Sequence, residues 1–237
     1  MRSVSIFIIS CILFLVLLPA LAFAEEGEFR VGVVGEYTDW NYGEGGVHAD
    51  GTDFGFLLGY EKQISDSLWY GLDGKVLHGA RKSAKADPWR NTEVRAVAKM
   101  GTLFHYDFDI KPFIGVGVNY TDQDVRSTNN FYYTDYVLPV GVAFEKDTDY
   151  GLIGSDIQYE YVVHRELYST DGDDAGKTST FGGNCNLEIG LFFEPKGTSF
   201  GFRPYYRYEH SNHSSASSGW WGPYNKNSGG LEVYYQF

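Results

Sequence analysis

Charge sorts by parity along this chain, and no other feature of the sequence limits its fold as tightly. Ten segments alternate apolar and polar residues with a period of two, the pattern of a strand with unlike faces. They are residues 28–40, 52–62, 68–78, 93–104, 110–120, 135–145, 150–164, 185–194, 199–210 and 229–237. One parity carries Val31, Val33, Phe54, Phe56, Leu58, Leu72, Val76, Ile114, Val116, Leu138, Ile157, Leu191, Phe202 and Leu231, with no charge in the central part of any strand. The other carries Arg30, Glu36, Asp53, Glu61, Asp73, Lys75, Arg95, Lys99, Lys111, Asp156, Glu160, Glu188, Arg203, Arg207, Glu209 and Glu232. A Lys or Arg facing the bilayer midplane costs about 2–4 kcal/mol, whereas one facing a barrel lumen does not. A soluble sandwich with its charged face in water satisfies the same parity, so the connections must decide.

The connections fall into two classes in strict alternation. Four are tight: Gln63 to Ser67, His105 to Asp109, Lys146 to Asp149 and Pro195 to Thr198. Five are longer and rich in Gly, Ser, Asp and Asn: 41–51, 79–92, 121–134, 165–184 and 211–228. Greek-key crossovers give no reason for that order. An up-and-down outer-membrane barrel does, with short periplasmic turns, long external loops and an even strand count. The expected fold is therefore all-β, a ten-stranded antiparallel transmembrane β-barrel. It is read as monomeric, with both termini periplasmic and the long loops extracellular. Aromatic girdles are expected at Tyr60, Tyr70, Phe104, Phe144, Phe193, Phe200 and Phe237 on the turn side, and at Tyr37, Phe54, Tyr120, Tyr136 and Tyr208 on the loop side.

The start of the chain gives the compartment. Arg2, an apolar run from Ile6 to Leu18, Pro19 and Ala22-Phe23-Ala24 before Glu25 have the order of a secretory signal. The run is short for a retained span. Residues 1–24 are thus read as a cleaved signal peptide and 25–237 as the barrel domain. Only Cys185 then remains, and no intrachain disulfide is possible. The formal charge is −12, and loss of Arg2 makes it −13. An acidic chain of this kind is not a nucleic-acid binder. Asp171-Gly172-Asp173-Asp174 does not reproduce the spacing of a calcium-binding EF-hand loop, and no cofactor or metal is expected.

Three segments carry a family resemblance: Lys111-Pro112-Phe113-Ile114-Gly115-Val116-Gly117-Val118, Leu138-Pro139-Val140-Gly141-Val142 and the terminal Tyr235-Gln236-Phe237. They resemble the small outer-membrane β-barrel families, including the OmpA-type and opacity-type barrels. The resemblance implies outer-membrane lipids and lipopolysaccharide as surroundings, and a barrel-insertion machinery that reads Phe237. Arg81-Lys82-Ser83-Ala84-Lys85 and Arg90 offer cations for lipopolysaccharide phosphates. Trp220-Trp221 in the last loop offers two aromatics to lipid or a ligand.

Inward charges of both signs predict a salt-bridged, plugged lumen rather than a small-solute pore, provided every pair is fully hydrogen-bonded. The expected role is structural or one of surface interaction. A hydrolase is the alternative. Tyr208-Glu209-His210-Ser211-Asn212-His213-Ser214-Ser215, followed by Glu232, resembles the His-x-Ser-Asn segment and later acid of lipid A deacylase barrels. That resemblance implies a Ser activated by a lipid-facing His and oriented by a carboxylate. The candidate catalytic residues are Glu209, His210, Ser211, His213 and Ser215. Two departures stand out: Ser211 follows His210 directly and points to the other face, and Asn212 takes the place of the Ser. Glu232 is expected opposite Tyr205, roughly 16 Å of strand below His210.

Overall fold

The computed structural model describes residues 27–42, 47–83, 88–125, 130–169, 176–212 and 223–237. The signal-peptide segment, Lys85, Asp171 to Asp174, His213, Ser215 and Trp220-Trp221 lie outside the described residues. Ten long strands form: β1 Glu28–Tyr42, β2 Val47–Ser65, β3 Leu68–Ser83, β4 Trp89–Thr102, β5 Asp109–Val125, β6 Asn130–Thr148, β7 Gly151–Ser169, β8 Gly176–Pro195, β9 Phe200–Ser211 and β10 Tyr224–Gln236. A two-residue piece, Phe104–His105, continues β4 past Leu103 and pairs with the start of β5.

Each strand pairs antiparallel with its sequence neighbours, and β1 closes on β10 from Arg30 opposite Gln236 to Tyr42 opposite Tyr224. Closure leaves no edge, as a sheet in lipid requires, because unpaired backbone groups have no water there to bond. The chain end completes the seam, with the Phe237 amide donating to the Phe29 carbonyl at 2.9 Å. At the Pro195–Thr198 turn the Thr198 amide donates to the Pro195 carbonyl at 3.2 Å, and Gly197 takes φ +77° in third position. A turn of that shape needs a residue free to adopt positive φ.

The apolar parity faces out. Phe54, Phe56, Ile114, Val116, Leu138, Val140, Leu191 and Leu231 are exposed on the outer surface, whereas the charged parity is mostly buried inside. Phe104, Phe200 and Phe237 are exposed at turn-side strand ends, together with Tyr106, Phe108 and Tyr150, while Tyr37, Phe54 and Tyr136 are exposed several residues inside the loop-side ends of their strands. Tyr60 is a correction. It is almost fully buried, tilted against Tyr70 at 5.8 Å, because Gly27 leaves a space that its ring fills.

Two further corrections concern length and register. The segments read as long loops are largely strand: β2 begins at Val47, β3 runs to Ser83 and β10 begins at Tyr224. A 19-residue strand is about 60 Å long, and a tilted strand needs only about 9–11 residues to cross a bilayer. The hairpins therefore continue as a β-wall beyond the membrane at the loop end. Glu232 pairs with Arg203 rather than Tyr205, which faces Gly230.

Candidate functional site in the barrel lumen

Alternation points every second residue inward, and the closed sheet brings these residues together across the lumen. The turn end opens into a cavity of about 370 Å³, lined by Trp69, Asp73, Lys99, Lys111, Phe113 and Tyr234 among others. Lys99 pairs with Asp73 at 2.6 Å, and Lys111 with Glu61 and Glu145. The two ammonium groups lie over the rings of Phe113 and Trp69, 5.0 and 5.1 Å from the centroids.

At the inner end of this vestibule, and lining it, a lattice of ion pairs crosses the barrel. Arg203 grips Asp156 with two bonds of 2.9 and 2.6 Å and also reaches Glu188 and Glu232. Arg95 bridges Glu160 and Glu188, and Arg207 bridges Glu160, Glu188 and Glu209. Lys75 holds Glu232 at 2.6 Å. Glu160 further accepts from Asn119, Gln158 and Asn186. Buried charges are tolerable only when such hydrogen bonding is nearly complete.

The loop-end half is packed more tightly. Tyr205 donates its hydroxyl to Glu36 at 2.5 Å, Lys226 holds Glu93 and Glu209, and Arg81 grips Asp53 with both terminal nitrogens. Arg165 binds both oxygens of Asp135, at 2.5 and 2.6 Å, and reaches Ser211 and Tyr224. Trp40, Ala49, Trp89 and Tyr224 form an apolar cluster beside it. The space left at this level is about 30 Å³, bounded by Glu36, Glu93, Asn119, Thr121, Tyr133 and Glu209 among others. From the Lys75 level upward, Glu36, Asp53, Glu93, Asp135, Asp156, Glu160, Glu188, Glu209 and Glu232 face Lys75, Arg81, Arg95, Arg165, Arg203, Arg207 and Lys226, nine carboxylates against seven cations.

Arg81 thus belongs to the lumen, not to a basic surface patch, while Lys82 and Arg90 are exposed. The residues that sequence reasoning passed over are Trp40, Trp89, Asn91, Asp135, Arg165 and Lys226. Trp40 shares the parity of Glu36, and Trp89 and Asn91 that of Arg95, so the signal was present. Arg165 and Lys226 stood in segments read as loops, and a bulge between Val162 and His164 shifts the parity before Arg165.

The resemblance-based catalytic residues are divided between the two faces of β9. His210 lies outside, Nδ1 2.8 Å from Asn225 Oδ1 and Nε2 3.0 Å from Asn212 Oδ1. Ser211 lies inside, its Oγ accepting from Arg165 at 2.8 Å, and Glu209 lies inside against Lys226 and Arg207. His210 therefore meets two asparagine amides, and neither Ser211 nor Glu209 reaches it.

The model of the outer membrane protein beta-barrel domain family matches residues 10–187. The chain belongs to that family. Among solved structures, this outer-membrane barrel is similar to the translocator domain of the autotransporter NalP from Neisseria meningitidis, at 11% identity and a TM-score of 0.51, over 88% of each chain. It is similar also to the outer membrane protease OmpT from Escherichia coli, at 8% identity and a TM-score of 0.52, over 89% of this chain and 96% of that one. At such identities the likeness is one of fold. A search of curated protein sequences returned no match. Membership in the family makes the solvent of the apolar girth the outer membrane.

Proposed function

We propose that this outer-membrane barrel does not conduct, and that it serves as a rigid stem presenting its loop end at the cell surface in a structural or surface-interaction role. One observation carries the reading: the lumen narrows from a vestibule of about 370 Å³ at the turn end to about 30 Å³ beneath the loops. The smaller space has room for about one water molecule. The orientation follows the rule of such barrels, short turns in the periplasm and long hairpins outside. Lys82 and Arg90, exposed at the loop end, are then placed to pair with lipopolysaccharide phosphates. Phe237, exposed at the turn end, is the residue offered to the insertion machinery. Reconstitution into planar bilayers tests the proposal. Stable baseline current is the expected result; reproducible ohmic steps would overturn it.

A further inference from the structure

Glu36, Asp53 and Glu93 each place a carboxylate oxygen within 4.8 Å of the others. Ion pairs account for part of this crowding. Arg81 serves Asp53, and Lys226 serves Glu93. Glu36 has only the hydroxyls of Tyr205 and Thr38, and no ion-pair partner among the described residues. The wider inventory agrees, since nine lumenal carboxylates against seven cations leave an excess of two negative charges.

A separate observation comes from β4. Asn91 is 0% exposed, and neither its Oδ1 nor its Nδ2 has a hydrogen-bond partner among the described residues. An amide buried in that state is destabilising by roughly 1–3 kcal/mol, so something of matching chemistry should meet it. Its position says what. The pairing registers set Glu36, Asp53, Gly79 and Asn91 in one inward row across β1 to β4. Gly79 carries no side chain, and a Cβ there would strike Asp53 Oδ1, so the Asp53 carboxylate leans over Gly79 toward Asn91's strand. Glu93 is the next inward residue on Asn91's own strand. The unpartnered amide is thus flanked on two sides by the acidic cluster. The 30 Å³ cavity touches Glu36 and Glu93.

We propose that Glu36, Asp53 and Glu93, with the amide oxygen of Asn91, form an intralumenal site for a single calcium ion. The donors are all oxygen, which selects hard cations over zinc or copper. Calcium bonds oxygen at about 2.3–2.6 Å, so ligands on opposite sides of it stand up to about 5 Å apart, and the separations here, all within 4.8 Å, fall inside that limit. Magnesium keeps several waters in a near-octahedral shell, which a space of about 30 Å³ does not hold. Arg81 and Lys226 stay in place, because each carboxylate they hold retains lone pairs on its far side. The ion supplies the missing positive charge and gives Asn91 Oδ1 a partner. It also pins β1, β2 and β4 to one another at the loop end.

Chelator-treated, detergent-refolded protein, its folded state verified by heat-modifiable migration, provides the test. Isothermal titration with calcium chloride should give one site per chain, and calcium should raise the unfolding temperature. Glu36→Gln keeps an acceptor for Tyr205 and Thr38 and should weaken calcium binding by at least about tenfold, since affinity follows ligand charge. Asn91→Leu removes the orphaned amide. In chelator it should be at least as stable as the parent, yet it should lose most of the calcium-induced gain. The inference is overturned if the parent shows no single-site binding, or if both variants bind calcium like the parent. It falls equally if magnesium binds more tightly than calcium.

Discussion

Arg203 shows how much rests on one inward side chain. Three carboxylates, Asp156, Glu188 and Glu232, lean on it, and Gly190 leaves the gap through which it reaches Asp156. Arg203→Met keeps most of the volume and removes the charge. Breaking a buried pair in this way costs about 3–5 kcal/mol, because the partners stay buried and uncompensated. Equilibrium urea unfolding in lipid vesicles should show that loss, and adding Asp156→Asn should return part of it. On the outer face the sign logic reverses. Val116, 61% exposed to the surroundings of the barrel, should tolerate Leu, whereas Val116→Arg should destabilise by about 2–4 kcal/mol in the same assay. Equal stability of Val116→Arg and parent would mean that this face meets water. Which face a charge occupies was legible in the sequence, because parity is a property of the strand alone. Which acid meets which base was not: Arg95 and Glu188 are 93 residues apart and meet across the lumen, so their pairing depends on barrel width and stagger.

Strand existence and order were equally readable, but strand length was not. Residues 48–51 and 130–134 read as loop in the sequence because their hydrophobic alternation fades, yet both are strand. The reason is physical. Beyond the bilayer the outer face of a hairpin meets water and no longer selects apolar side chains, so period two loses one of its two phases. Hydrogen bonding continues regardless, as in Thr52 opposite Ala80 and Asp50 opposite Lys82. Amide hydrogen exchange should therefore find residues 48–52 and 79–82 slowed well below free-loop rates. It should also find β1 and β10 as protected as β7 and β8, since the seam from Arg30–Gln236 to Tyr42–Tyr224 leaves neither strand an edge. Fast exchange along β1 would indicate an open sheet. His210 and Ser211 do not meet for a related reason: as neighbours on one strand they point to opposite faces and are separated by the thickness of the wall.

For the molecule as a whole, the lumen is a plug built from the wall itself, and a long charged or aromatic side chain can be removed from it without touching the ladder of backbone bonds. Strand β9 contributes three such side chains in succession on the inner face, Arg203, Tyr205 and Arg207. Replacing all three by Ala should join the turn-end vestibule to the space beneath the loops. The destabilisation is substantial, so heat-modifiable migration must first show that the variant still closes. In planar bilayers it should then give small ohmic steps where the parent gives none. Their selectivity has a fixed sign. Loss of two arginines leaves nine carboxylates facing five cations from the Lys75 level upward, and a narrow low-dielectric path with that excess attracts cations and repels anions. Reversal potentials under a potassium chloride gradient should therefore favour potassium. A folded triple variant that remains sealed would move the block upward, to the layer where Arg165 binds Asp135 and Tyr224 beside Trp40 and Trp89.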